Sequence, residues 1–270
     1  MTLALRYGAA AVGIVRRDVA VFMSYRLRFA SHLASTVFSL LLLYYLSKLV
    51  RVEMFPSPDD YFGFATVGVV IFGVLTSTLA AAPATLRQEL VAGTYERLLV
   101  SPFGGVAGTL SMLVFPFVYA FAHGVVTLLL AAVIFGLSLE WPSAVLAAPV
   151  ALLGVLAFVP FAILVSAAVI VLKQALGAGS FLIAGISVVA GLYFPVALLP
   201  DWIQWASDVQ PFTPAVDLLR HLLVGTELNG SPWTHVTKLA LFAAALVPLS
   251  VWVLAQALRV GRERATITEY

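Results

Sequence analysis

Arg87, Glu89, Glu96 and Arg97 cluster in one short segment between two long apolar runs. Side chains of both signs at that density do not form a bond-making site. Taken alone they read first as a solvated loop, and second as a contact surface for a water-exposed protein partner. Other chemistry has few candidates. His32 and His123 are the only histidines inside the apolar runs. A lone histidine there is more often a packed hydrogen-bonding group than a ligand. There is no cysteine, no Glu-x-x-His or His-x-x-x-His pair, and no Gly-x-Ser-x-Gly elbow. The lysines, Lys48, Lys173 and Lys238, do not follow a glycine-rich phosphate loop. No carboxylate sits within an apolar run, which argues against a proton- or sodium-coupled carrier. No catalytic, cofactor or metal site is therefore expected, and if ATP drives this protein another chain must bind it.

The elements that carry these residues are membrane elements. The chain is 62% hydrophobic and 10% charged, where a soluble domain carries about 25% charge. Apolar runs, uncharged apart from Lys238 at the edge of the last, cover roughly 29–47, 61–83, 106–136, 144–172, 176–199 and 238–258. Each is near or above the roughly 20 residues that a helix needs to cross the hydrocarbon core. A backbone in lipid must satisfy its own hydrogen bonds, so the expected fold is all-α, a single polytopic domain over 1–270 with six transmembrane helices. The polar connections are too short for a soluble domain, and no nucleic-acid partner is expected. The first apolar run follows an arginine-bearing segment and has full spanning length, unlike a cleavable signal.

With both termini cytoplasmic, Arg6, Arg16, Arg17, Arg26, Arg28, Arg87, Arg97, Lys173, Arg259, Arg262 and Arg264 lie inside. Only Lys48, Arg51, Arg220 and Lys238 lie outside, while acids such as Glu53, Asp59, Asp60 and Asp201 lean outward. This is the arrangement that the positive-inside rule favours.

Three segments stand apart from the spans. In 4–28, Leu5, Val12, Val15, Val19 and Phe22 recur at helical spacing among arginines, which suits an interfacial helix. The simpler alternative is a basic lead-in to the first span. Segment 84–103 reads as two short helices about a Gly93 stop, with Thr94 capping the second and Pro102 ending it. Segment 198–225 reads as two short amphipathic helices split by Pro211 and Pro214. They form a re-entrant hairpin at the outer leaflet, because a plain loop has no need of its leucines and tryptophans. Gly104 and Gly108 give a Gly-x-x-x-Gly spacing that can pack helices closely.

Glu89-x-x-x-Gly93-Thr94-Tyr95-Glu96-x-Leu98-Leu99-x-Ser101-Pro102 resembles the cytoplasmic loop of the type-2 family of ATP-binding-cassette exporter permeases. Phe194-Pro195, Leu199-Pro200, Trp202, Pro211, Pro214 and Arg220 resemble that family's segment before the last span. The resemblance covers essentially the whole chain. It implies a plasma-membrane homodimer, or a pair of similar subunits, with two copies of a separate ATPase that binds ATP and Mg. It also implies that Arg87, Glu89, Gly93, Thr94, Glu96, Arg97, Ser101 and Pro102 form the ATPase-coupling loop. Spans one, two and five would line the pathway, and the hairpin would shape its exit.

The apolar, aromatic character of the spans suits a hydrophobic or amphipathic cargo, such as a drug, antibiotic or lipid-like molecule. A lipid-linked polysaccharide or teichoic acid is the alternative, with Tyr44, Tyr45, Tyr193 and Phe194 as candidate pathway aromatics or, equally, interface-belt residues. A scaffold without transport is the alternative of another class; it predicts no ATPase partner. Glu89→Lys or Glu96→Lys is expected to leave the protein inserted and to cut ATPase-coupled export in vesicles. Normal export by both variants would count against the coupling role.

Overall fold

The computed structural model describes residues 3–49, 55–101, 104–172 and 176–263. Arg51, Glu53, Pro102, Lys173 and Arg264 lie outside the described residues. All regular structure among the described residues is helical: α1 (Leu3–Ser24), α2 (Arg26–Leu49), α3 (Pro58–Thr76), α4 (Ala82–Val91), α5 (Tyr95–Leu99), α6 (Gly105–Phe135), α7 (Ser143–Leu172), α8 (Leu176–Val189), α9 (Asp201–Asp208), α10 (Phe212–Val224) and α11 (Pro232–Glu263). A π turn, Ser77–Ala81, joins α3 to α4 without a break.

Five helices are long and apolar enough to cross a membrane: Ala30–Leu49, Pro58–Val91, Gly105–Phe135, Ser143–Leu172 and Pro232–Glu263. Two expected boundaries move. The second span does not end at Pro83. Proline removes one N–H and crowds the carbonyl four residues back, here that of Leu79. The π turn absorbs this, and the helix runs on to Val91 as a 34-residue unit. At 1.5 Å per residue that is about 51 Å, well beyond a hydrocarbon core of about 30 Å. The first half of the expected 84–103 loop is thus the projecting end of a span.

The run 176–199 moves the other way. It is α-helical only over the 14 residues of α8, about 21 Å, with a single 3-10 turn at Val196–Leu198. Gly191 adopts φ +68°, and the amides of Gly191 and Leu192 turn back to Val188 and Ser187. This left-handed C-terminal motif closes the helix.

Side-chain contacts fix the helix directions. His32 on α2 meets Tyr119 on α6, and Thr36 meets His123, so α2 and α6 run parallel. Gly179 in α8 abuts the Leu79 carbonyl, and Leu192 beyond α8 abuts Gly68, so α8 runs antiparallel to α3. Near its start α11 packs Leu239 with Phe212, and near its end Leu258 meets Gly105. α1, the α4–α5 segment and the C-terminal end of α11 therefore share one end of the bundle. The α9–α10 hairpin occupies the other. Two main cores follow this axis, one at the hairpin end around Leu75, Phe158, Phe212 and Val216, one at the loop end around Leu86, Tyr95, Leu113 and Ile170.

The apolar stripe expected on α1 divides between outside and bundle. Val12 and Val19 are exposed. Ile14 packs on the loop-end core, and Phe22 lies 5.0 Å from Tyr119.

Arg220 was grouped with the outer bases on sequence; in the fold it is buried, at 2% exposure. Its Nε donates to the Phe64 carbonyl (3.1 Å), Nη1 to Gly191 (2.8 Å) and Nη2 to Leu192 (2.8 Å). The guanidinium also lies 3.4 Å from the centroid of the Phe64 ring. It therefore ties α10 to α3 and to the end of α8. A Cβ at Gly68 would collide with the Leu192 carbonyl, so only glycine lets this corner close. Pro211 and Pro214 are buried at the start of α10, whereas Pro200 and Trp202 at the start of α9 are exposed. Arg220→Met keeps bulk but leaves the Gly191 and Leu192 carbonyls without donors, so it should cost on the order of 2–5 kcal/mol. Thermal unfolding in detergent micelles measures this, and an unchanged midpoint would remove Arg220 from its role as the tie.

Candidate functional site

The loop end presents a small projecting foot. α4 closes on Gly93 (φ +68°). The Gly93 amide donates to the Leu90 carbonyl (3.1 Å) and the Thr94 amide to the Glu89 carbonyl (3.1 Å). The expected glycine stop is present. The expected Thr94 cap on α5 is not: its hydroxyl turns back to donate to the Glu89 carboxylate and carbonyl. Glu89 also accepts from Arg17 on α1 (Nη2–Oε1 3.1 Å), which in turn holds Asp18 (2.9 Å). Partial burial disfavours the Arg17 charge, and the bonds and charges of Asp18 and Glu89 outweigh that, so its pKa rises. Glu89 is thus an internal latch joining α1, α4 and the Gly93 turn.

α5 is anchored from beneath. Tyr95 is fully buried, and its hydroxyl lies 2.6 Å from that of Thr109 on α6. Burial pushes the Tyr95 hydroxyl up to about 12, with the Thr109 hydrogen bond and the Arg262 charge pulling weakly the other way. The neutral phenol is therefore the form that the fold holds. Leu98 and Leu99 seat on Gly108 and Gly105, where a Cβ at Gly105 would come 2.6 Å from Leu99. The glycines that open α6 thus receive this chain's own α5. Ser101 donates to the Leu98 carbonyl (2.7 Å) and closes the turn.

What remains outward is a mixed surface. Arg87, Glu96 and Arg97 are exposed beside Val91 and Val100, the last at 86%. Of the residues expected to act together, Glu89, Gly93, Thr94 and Ser101 build the foot, and Arg87, Glu96 and Arg97 decorate it. Arg17, Thr109 and Gly105 are structural members that the sequence signal missed, whereas Gly108 belongs to the close-packing spacing read from the sequence. Arg17 lies far away along the chain, and Thr109 is one hydroxyl in a long apolar helix.

The four candidate aromatics do not converge. Tyr44 packs against Phe62 (5.5 Å) and Phe135 (5.3 Å) with Tyr45 beside it (5.7 Å). Tyr193 lies on Phe72 (5.7 Å) beyond α8, next in sequence to Phe194. His32 and His123 are bonded to Tyr119 and Thr36, as packed histidines are. Among the described residues no group of histidine and acidic side chains could hold a metal ion.

A family model for ABC-2 type transporters matches residues 13–224, from within α1 to the end of α10. The chain belongs to the ABC-2 type transporter family. It is a membrane permease of an ABC transporter, the transmembrane component of a family whose permeases work with an ATPase partner and whose membrane domain lacks the nucleotide-binding site. Both the foot and the hairpin of the permease fall within the matched region. No curated protein matches the chain.

Thr109→Val should cost about 1–3 kcal/mol, because it leaves the buried Tyr95 hydroxyl without its partner, and it does not touch the exposed charges. Exchanging the latch charges, Arg17→Glu with Glu89→Arg, should recover part of what either change loses; for a half-exposed pair the coupling is at most about 1 kcal/mol. The unfolding midpoint of the Thr109→Val variant checks the first statement, and a double-mutant cycle over Arg17 and Glu89 checks the second.

Proposed function

We propose that this permease is the membrane subunit of an ATP-driven exporter that moves a hydrophobic or amphipathic cargo out of the cell. The observation that carries the proposal is the foot. α5 is held rigidly by buried Tyr95, while Glu96, Arg97 and Val100 face outward from it. A rigid knob with a mixed charged and apolar face is what a separate ATPase needs in order to pass on differential contacts between its nucleotide states. Two ATPase copies and a second permease, in a homodimer, complete the machine. Lipid-linked polysaccharide remains the second cargo class; the scattered aromatics favour the simpler amphiphile.

The distribution of charge supports a plasma-membrane orientation with the foot and both termini in the cytoplasm. Arg16, Arg17, Arg87, Arg97, Arg259 and Arg262 gather at the foot end, while Asp59, Asp60, Glu140, Asp201, Asp208 and Glu227 gather at the hairpin end. In this reading α8 and the turn after it complete a sixth crossing. α1 lies in the inner interface with Val12 and Val19 towards lipid. α9 dips its exposed Trp202 and Trp205 into the outer leaflet as an aromatic belt.

Glu96→Lys with Arg97→Glu inverts the exposed pair and leaves the latch intact. Co-purification of the ATPase and ATP-dependent transport in vesicles should fall at least ten-fold while the unfolding midpoint stays put. Glu89→Lys also breaks the latch, so it should lower the midpoint as well. Undiminished binding of the ATPase by the inverted pair would refute docking at the foot.

A further inference from the structure

Beside the foot lies a half-open cavity of about 880 Å³ lined by α1, α2, the end of α3, the π turn, α4 and α6. Drug-sized ligands occupy pockets of about 300–1,000 Å³. Its walls are unlike each other. One is aromatic: Phe22, Phe115, Tyr119 and His32. Phe22 meets Tyr119 edge-on at 5.0 Å, Phe115 and Tyr119 stack at 6.3 Å, and the Tyr119 hydroxyl lies 3.0 Å from His32 Nδ1. The facing wall is polar and low: Thr76, Ser77, Thr85 and Gln88, with small Ala80, Ala81 and Ala84 between them leaving the space open. Thr76 and Thr85 donate their hydroxyl hydrogens to the Phe72 (2.9 Å) and Ala81 (3.0 Å) carbonyls. With its hydrogen committed, each hydroxyl oxygen can still accept a bond from an occupant. Arg17, Asp18 and the latched Glu89 form the charged base of the cavity.

We infer that this cavity binds a flat, ring-bearing amphiphile that carries hydrogen-bond donors along one edge. The ring plane lies against the aromatic wall, where offset and edge-on arrangements are favoured. The donor edge meets the polar wall of Thr76, Thr85 and Gln88. An alkyl chain fills the same volume but gains nothing from stacking, and a ligand without donors leaves the polar wall unpaired. The identification of this ligand as cargo rests on the exporter reading; the binding site itself does not. The site also borders the machinery. Ser77, Ala80 and Ala81 belong to the π turn, an irregularity frequent at functional positions, and Glu89 is the latch of the foot. An occupant thus touches the same helix that carries the ATPase-facing surface.

The test uses the full-length permease alone, without nucleotide or ATPase, in phosphatidylcholine nanodiscs. The probe is proflavine, a planar tricyclic diamine whose fluorescence reports binding over empty discs. One saturable site per chain is expected. Phe115→Leu should weaken it about five-fold, the worth of one aromatic contact. Ala81→Trp, which fills the cavity from the π turn, should abolish it. Unfolding midpoints confirm that each variant is folded, and Gln88→Ala at the exposed rim, expected to weaken binding two- to three-fold, serves if the others are not. Unchanged affinity in the folded variants would overturn the inference. So would displacement of the probe by dodecylamine or octyl glucoside at matching concentrations, which would assign the cavity to a lipid or a sugar. Because no ATPase is present, loss of docking at the foot and loss of proflavine binding are separate results.

Discussion

A buried guanidinium holds the hairpin end of this permease together. In an apolar medium each unpaired backbone carbonyl is costly, so a helix can stop short only where protein groups take over its last acceptors. α8 stops after 14 residues. Its closing turn pairs Gly191 and Leu192 amides internally. Arg220 then takes the carbonyls of the same two residues, and Ser207 takes that of Val189 (2.7 Å). The planar fork of arginine, with several donors fixed in direction, suits this task in a way that a lysine does not. Because Arg220 also reaches Phe64, the irregular end of α8, the hairpin and the start of α3 become one packed corner.

The same accounting shapes the opposite end. Pro83 interrupts the helical bond pattern of a span, and the chain answers with a π turn rather than a break. Gly179 lets α8 approach the affected Leu79 carbonyl directly. Continuity of α3 through α4 carries one helix from the hairpin end into the foot, as a single rod. The latch of Arg17 and Glu89 joins α1 to that rod. The mixed-wall cavity opens where rod, latch and π turn meet. The cavity, the latch and the foot thus lie on neighbouring turns of one helix.

Much of this was legible beforehand because membrane sequences are tightly constrained. Long uncharged runs must be helices, and Gly93 between two short apolar faces could only be a stop. The motif around Glu89 to Ser101 placed the chain in its family before any geometry was known. Legibility failed where one residue served two partners. Thr94 looked like a cap because threonine before a helix usually is one, yet the nearby Glu89 carboxylate offers a stronger, charged acceptor. Arg220 looked like a surface base because nothing local reveals that its partners lie on α3 and at the end of α8.

By itself, then, the sequence determined the class of solvent, the number of apolar runs, the sign of charge at each end and the sites of the glycine and proline interruptions. These depend on local composition and on the length needed to cross lipid. Tertiary structure alone decided which run would be cut short, which helix would overrun its span, and which charges would be latches rather than contacts. Those outcomes depend on partners distant in the chain, such as Arg17 for Glu89 and Arg220 for Gly191, whose meeting is fixed only when the helices pack.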